Sequence, residues 1–137
     1  MFKKILLAFD GSDHSYRAAR EAIKMASFTQ ESVIEVIYVA DFEKSKSDVL
    51  HSQGDTEFTR RMKLQPVEEL MKAEQVTYKV KIIHGEPGPS IVEYANKEKF
   101  DLAVIGSRGL NTLQEMVLGS VSHKVAKRVT CPVLIVK

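Results

Sequence analysis

Continuous apolar runs in this chain alternate with amphipathic stretches. Residues 5–9 contain no polar side chain, which is typical of a strand covered on both faces of a parallel sheet. The Asp10-Gly11-Ser12 segment follows as a turn whose side chains can cap a helix. Small residues then recur at helical spacing, which predicts a helix over about 13–27. Residues 33–40 are rich in β-branched side chains and interrupted only by Glu35, so they predict a second strand.

The second half of the chain continues this alternation after a polar segment. Residues 41–55 have little periodicity and predict a loop. A helix is predicted over 56–74, either kinked at Pro66 or beginning near it. A half-exposed edge strand is then predicted over 76–83, followed by a turn over 84–89 with Pro89 near a helix start. The third helix has its inner face over 91–95, and a buried strand follows over 102–105. A valine stripe over 117–129 marks the fourth helix, which begins near Ser120, and the last strand covers 133–136.

The resulting order is β-α-β-α-β-α-β-α-β. It predicts an α/β fold with a parallel sheet and right-handed crossovers. Five strands in strict alternation suit a doubly wound sheet with helices on both faces. The length of 137 residues fits a single domain spanning 1–137.

The composition narrows the class of protein. Hydrophobic and charged contents of 44% and 28% are ordinary for a soluble domain. A net charge of +2 is too small for a dedicated nucleic-acid binder. The single cysteine, Cys131, cannot form an internal disulfide, and no apolar run approaches the roughly 20 residues of a membrane span. These totals predict a cytoplasmic protein with no nucleic-acid or membrane partner.

The strongest chemical signal is a glycine-bearing loop between the fourth strand and the fourth helix. It reads Gly106-Ser107-Arg108-Gly109, then nine residues, then Gly119-Ser120-Val121. Glycine lets backbone N–H groups approach a phosphate closely, and a helix start offers unpaired donors at the positive end of its dipole. The Ser120 hydroxyl adds a further donor. The pattern therefore predicts an anion site.

This pattern resembles the ATP-binding signature of the universal stress protein family. Residues 4–12, Tyr38-Val39 and residues 131–136 are similar to that family's first, second and last strands. The resemblance implies the strand order 3-2-1-4-5 of an adenine nucleotide alpha hydrolase-like fold. It also implies a homodimer formed through the last strand, which would lie at a sheet edge.

The resemblance assigns roles residue by residue. Ala8 would line the base pocket, Val39 would offer backbone contacts to adenine, and Asp10 would lie near the ribose. The remaining residues would surround ribose and phosphates: Gly106, Arg108, Gly109, Gly119, Ser120, Val121 and Ser122. Asp10 also suits a turn, Ser120 also suits an N-cap, and Arg108 equally suits an exposed position.

Other candidate sites are weaker. The sequence has no P-loop, no Gly-x-Gly-x-x-Gly fingerprint and no Gly-x-Ser-x-Gly elbow. Its histidines show no paired metal-ligand spacing, and they are His14, His51, His84 and His123. Cys131 suits a small buried hydrophobe, and the basic cluster over 124–128 suits a solvated helix face. The only metal expected is Mg²⁺ or Mn²⁺ accompanying the nucleotide, held by Asp10 through water.

The leading hypothesis is an ATP-binding stress or regulatory module, with ADP or AMP as alternative ligands. A complete binding signature without a named base or electrophile favours a reversible binder over an enzyme. The main alternative is a slow ATP hydrolase or phosphotransferase in which Asp10 orients water or a metal. A lesser alternative is a flavin-binding or electron-transfer relative of the same fold.

Overall fold

Strands and helices alternate along the chain, as the hydrophobic pattern predicts. The computed structural model describes residues 1–40, 57–108 and 118–137. Within those ranges the elements are β1 (Lys4–Ala8), α1 (Asp13–Ala26), β2 (Val33–Ala40), α2 (Glu57–Ala73), β3 (Thr77–His84), α3 (Pro87–Glu98), β4 (Leu102–Gly106), α4 (Ser120–Arg128) and β5 (Val133–Val136). The predicted loop over 41–55, Val117 of the valine stripe and Gly109 of the anion motif lie outside the described residues.

The five strands form one parallel sheet in the order β3-β2-β1-β4-β5. This order confirms the one implied by the family resemblance. The continuous apolar run becomes the central strand β1, where Ile5, Leu6 and Leu7 have no solvent exposure. The strand with alternating residues becomes an outer strand, β3, whose Lys79 and Lys81 are exposed.

The sheet separates two hydrophobic cores, which confirms helices on both faces. One core packs α1 and α2 against alternate residues of β1, β2 and β4, including Leu7 and Met71. The other packs α3 and α4 against the intervening residues, including Leu6 and Val125. The helices that follow the neighbouring strands β1 and β4 therefore leave to opposite faces, as a doubly wound sheet requires.

Several boundaries differ from the predicted ones. The α2 helix continues through Pro66, so the helix does not begin there. The Tyr16 hydroxyl donates to the Pro66 carbonyl at 3.2 Å, which ties α1 to α2 at this point. The α3 helix begins at Pro87, so Pro89 lies in its first turn and the predicted helix start near Pro89 is confirmed. A proline at the first helical position gives up no hydrogen bond.

The single polar interruption of β2 has a specific partner. The Tyr94 hydroxyl of α3 donates a hydrogen bond to the Glu35 carboxylate, and the Tyr94 ring packs against Phe100 with centroids 5.9 Å apart. Burial raises the pKa of Tyr94, and the neighbouring Glu35 raises it further. A carboxylate in a half-buried strand position is thus satisfied by a phenol that stays protonated.

Candidate functional site

The candidate site lies where the chain leaves the carboxyl ends of β1 and β4. These strands are neighbours, with Ile5 paired to Leu102 and Leu7 to Val104. Because α1 and α4 pack on opposite faces of the sheet, a crevice is expected beyond the carboxyl ends of these two strands.

On the β1 side, a tight turn presents Asp10. The backbone N–H of Ser12 donates to Asp10 Oδ1 at 2.9 Å, and Gly11 has a φ of +89° that favours glycine. Ser12 then caps α1, since its hydroxyl accepts from the Ser15 N–H at 3.1 Å. The turn role considered for Asp10 is therefore real. It is compatible with a ligand role, because a carboxylate has about four acceptor positions.

A lysine that the sequence pattern did not single out lies over this turn. The aliphatic stem of Lys63 in α2 passes beside Gly11, where an added Cβ would meet Lys63 Cδ at 3.4 Å. Its ammonium lies 3.4 Å from the Tyr38 hydroxyl at the end of β2. No periodicity marks this position, because Lys63 reaches the crevice from a helix distant in sequence.

On the β4 side, Gly106 is required by a close approach of backbone to backbone. A Cβ at Gly106 would lie 2.8 Å from the carbonyl carbon of His14 and 2.8 Å from its Cβ. Real Cβ atoms do not come this near to backbone, so the start of α1 contacts β4 only because this residue is glycine. The Ser122 hydroxyl of α4 donates to the Gly106 carbonyl at 2.6 Å and is buried.

Ser107 joins the elements around the crevice. Its N–H donates to the Val136 carbonyl of β5 at 2.7 Å, and its carbonyl accepts from the Gly119 N–H at 2.8 Å. Its hydroxyl lies 3.3 Å from His14 Nδ1. Sequence reasoning placed neither His14 nor Ser107 in the site. The available signals were that Ser107 lies inside the glycine motif and that His14 follows Asp10 by one helical turn.

The α4 helix begins at Ser120, which confirms the predicted helix start. Gly119 is the N-cap, so the structure excludes the alternative in which Ser120 is the cap. The backbone bond from Gly119 to Ser107 holds the chain at this position, and Ser120 is exposed at the helix start. The N–H groups of Ser120, Val121 and Ser122 belong to the first turn, where an α-helix provides no acceptor of its own.

The other predicted site residues occupy both sides of the crevice. Ala8 is buried at the end of β1, and Val39 is half-buried near the end of the adjacent β2. Both belong to the core on the α3–α4 face. Arg108 is half-exposed beyond β4. Gly109 lies outside the described residues, and its ligand role stays a prediction.

Metal and thiol chemistry has little support in the described part of the chain. Among residues 1–40, 57–108 and 118–137, no three histidine, cysteine or carboxylate side chains come together as metal ligands would. Burial raises the pKa of the Cys131 thiol, which is half-buried. Cys131 is therefore a weak nucleophile at neutral pH. In the same ranges, no helix has the length and apolar content needed to cross a bilayer.

Comparison with known proteins identifies the architecture. The sequence profile of the universal stress protein family matches residues 1–137. Universal stress protein MJ0531 of Methanocaldococcus jannaschii is 37% identical over 144 residues, covering 100% of this chain and 83% of that protein. Hypothetical protein MJ0577 of the same organism has a solved structure similar to this chain with a TM-score of 0.86. That structural alignment has 27% identity and covers 100% of this chain and 96% of the other.

A second solved structure carries information about a ligand. It is a universal stress protein in complex with cAMP, and it matches this chain with a TM-score of 0.74 at 28% identity. The match covers 99% of this chain and 97% of that one. The family profile over the whole chain, the identity to MJ0531 and the shared sheet order agree with one another. The chain therefore belongs to the universal stress protein family.

Proposed function

We propose that this protein binds an adenine nucleotide, with ATP as the preferred ligand, and acts as a nucleotide-dependent module in a stress response. The observation that carries the proposal is the convergence at Gly106. There a backbone without a side chain lies between the start of α1, at His14, and the start of α4, at Ser122. The Asp10 carboxylate lies in the turn after β1, the strand next to β4. A related protein with cAMP bound supports the adenine nucleotide as the ligand class.

The proposed contacts follow the two sides of the crevice. Ala8 and the backbone of Val39 would hold the adenine, and Asp10 would accept from the ribose hydroxyls. Gly106 and Gly109 would let the loop run close to the ribose and phosphates, with Arg108 near the terminal phosphate. The phosphate oxygens would accept hydrogen bonds from the backbone amides of Gly119, Ser120, Val121 and Ser122. The exposed Ser120 hydroxyl would be an added donor. The Ser122 hydroxyl already donates to Gly106, so Ser122 would contribute its amide.

Calorimetric titration of the purified protein with ATP tests the proposal. We expect saturable heat at one site per chain, measured with and without Mg²⁺ or Mn²⁺ because either ion would accompany the phosphates. Nucleotide released on denaturation should be identified by mass spectrometry. ATP or cyclic nucleotide would support a reversible binder, whereas ADP or AMP alone would favour the hydrolase alternative. A protein that shows no heat and no thermal shift with ATP in the millimolar range would contradict the proposal.

The substitution Asp10→Asn separates the ligand role of Asp10 from its turn role. The asparagine carbonyl can still accept from the Ser12 N–H, so the turn is kept while the charge and half of the acceptors are lost. We expect ATP affinity to fall about tenfold, as for loss of one charge-assisted hydrogen bond. His123→Ala is the matched control, because His123 is exposed on α4 beside the site. Equal affinities of the two variants would exclude Asp10 from the ligand contacts.

We also propose that two chains associate through β5. This strand is at the edge of the sheet, and all four of its residues are half-buried in the single chain. A second copy would cover that apolar edge with a two-fold interface. Light scattering at tens of micromolar protein should give twice the chain mass of 15.4 kDa, and a mass of one chain would contradict the dimer. We propose that nucleotide binding and the association of two chains both take place in the cytoplasm.

A further inference from the structure

We propose that His14 is a positioning residue that holds Ser107, and that this pair determines how strongly the site prefers a nucleotide with a phosphate chain over the bare nucleoside. The inference rests on the proposed nucleotide site. It concerns two residues that lie outside the ligand contacts named above.

The backbone of His14 is fixed where α1 comes nearest to β4. Its carbonyl carbon and Cβ approach within 2.8 Å of the position that a Gly106 Cβ would take. At this distance α1 cannot slide along β4 without displacing the first residue of the loop. The backbone that carries the His14 ring is therefore held in place beside Gly106, where the chain leaves β4.

Among the described residues, the side chain of His14 provides one of three attachments of Ser107. The other two are backbone bonds, from the Ser107 N–H to Val136 in β5 and from the Gly119 N–H to the Ser107 carbonyl. The third joins Ser107 Oγ to His14 Nδ1 at 3.3 Å, and Ser107 is only 6% exposed. Either tautomer of the imidazole can make this bond, with the ring or the hydroxyl as the donor. Of the three attachments, only this one depends on side chains.

A shift of Ser107 would also move the backbone amides at the start of α4, which are the proposed phosphate donors. Gly119 caps α4 and is bonded to Ser107, so Ser107 helps to position the first α4 amides, together with the bond from Ser122 to the Gly106 carbonyl. Hydrogen bonds weaken steeply with angle, so a small rotation of this helix start would cost phosphate contacts. Ala8 pairs with Ile37 of β2, and Val39 pairs with Ile83 of β3, so the sheet holds both residues independently of the Ser107 bonds. Adenine binding should therefore be insensitive to the pair.

The test compares ATP with adenosine in the intact chain, using direct titration for ATP and displacement titration for adenosine. We expect His14→Ala to lower ATP affinity about tenfold, the size of effect that one lost hydrogen bond can have. Adenosine affinity should stay within about a factor of two of the native value, so that the ratio of the two affinities falls. Ser107→Ala should have the same effect. The double variant should be no weaker than either single one, because the two substitutions remove the same bond.

Two conservative variants test the atom involved. Asparagine places a polar atom where Nδ1 of histidine lies, whereas glutamine places it near Nε2. We expect His14→Asn to recover most of the ATP-to-adenosine ratio and His14→Gln to recover none of it. Rescue by both or by neither would contradict the role assigned to Nδ1. Circular dichroism confirms folding of each variant, and Ser107→Ala alone gives the answer if the His14 variants do not fold.

The outcomes separate this inference from the proposed function. If the native chain binds neither ATP nor adenosine, the nucleotide site itself is wrong and the inference falls with it. If the native chain binds ATP and the ratio is unchanged in His14→Ala and Ser107→Ala, only the inference is overturned. A parallel loss of ATP and adenosine affinity would also overturn it, since this would be a general structural effect.

Discussion

Replacing Gly106 with valine should abolish nucleotide binding and lower the free energy of unfolding by about 3 kcal/mol or more, at the upper end of overpacking effects. The new Cβ would lie 2.8 Å from backbone atoms of His14, which are held by α1. Neither β4 nor α1 can yield cheaply, because β4 is a buried inner strand and α1 packs through Ala18, Ala19 and Ala22 into a close-packed core. Urea unfolding and ATP titration of the same preparation measure the two effects.

A second glycine provides a matched control for this experiment. An added Cβ at Gly88 in α3 would also come within 2.8 Å of another atom, but that atom is Cδ of the Lys124 side chain. The end of a flexible side chain can move away, and alanine is favoured over glycine within a helix by up to about 1 kcal/mol. Gly88→Ala should therefore be neutral to slightly stabilising and should keep ATP binding. Similar losses at both positions would show that the contact with His14 backbone is not the cause.

The substitution Tyr94→Phe should lower the free energy of unfolding by about 2 kcal/mol at neutral pH, within the range for a hydrogen bond to a charged group. The change keeps the ring that packs against Phe100 and removes the hydroxyl that donates to Glu35. The Glu35 carboxylate would then lose a donor in a half-buried position on the sheet. Urea unfolding measures the loss. Adding Glu35→Gln should recover part of it, because an uncharged amide is less costly to leave unpaired.

The same tyrosine predicts a pH dependence of stability. The pKa of Tyr94 is raised in the folded chain by burial and then by Glu35. Its stabilising effect is complete below the unfolded tyrosine pKa of about 10 and is lost as the pH rises from there toward the folded pKa. Tyr94→Phe lacks this titration, so its stability should approach that of the native chain between pH 10 and about 12. A constant difference between the two proteins across that range would contradict the assignment.

Elements of this fold could be predicted from sequence where local pattern decides them. The apolar run of β1 and the small residues of α1 identify the centre of the sheet and its covering helix, because burial on both faces leaves no polar position. Strand order depends on which distant strands pair, and local periodicity does not show this. The predicted order was therefore the one implied by the family resemblance. The start of α4 near Ser120 was predicted, whereas the sequence left its cap open between Ser120 and a neighbour, and the structure has Gly119 there, bonded to Ser107.

The candidate site was predictable where single residues carry a local signal. The motif glycines and the acidic residue after β1 have such a signal, and the structure has Gly106 at the end of β4 and Asp10 in the turn after the neighbouring β1. His14 and Ser107 carry almost none, because they are separated by 93 positions and meet only through the pairing of β1 with β4. Lys63 is similar, since its contact with Gly11 depends on how α2 packs over the first turn.

The exposed lysines of β3 have a consequence for the size of any assembly that the sheet can form. Lys79 and Lys81 place two exposed charges in the middle of one outer strand, whereas β5 at the other edge is an apolar run. An open-ended filament would require the two different edges to pair from one subunit to the next. Charged β3 edges would resist such pairing, so the association proposed through β5 would end when two copies have met.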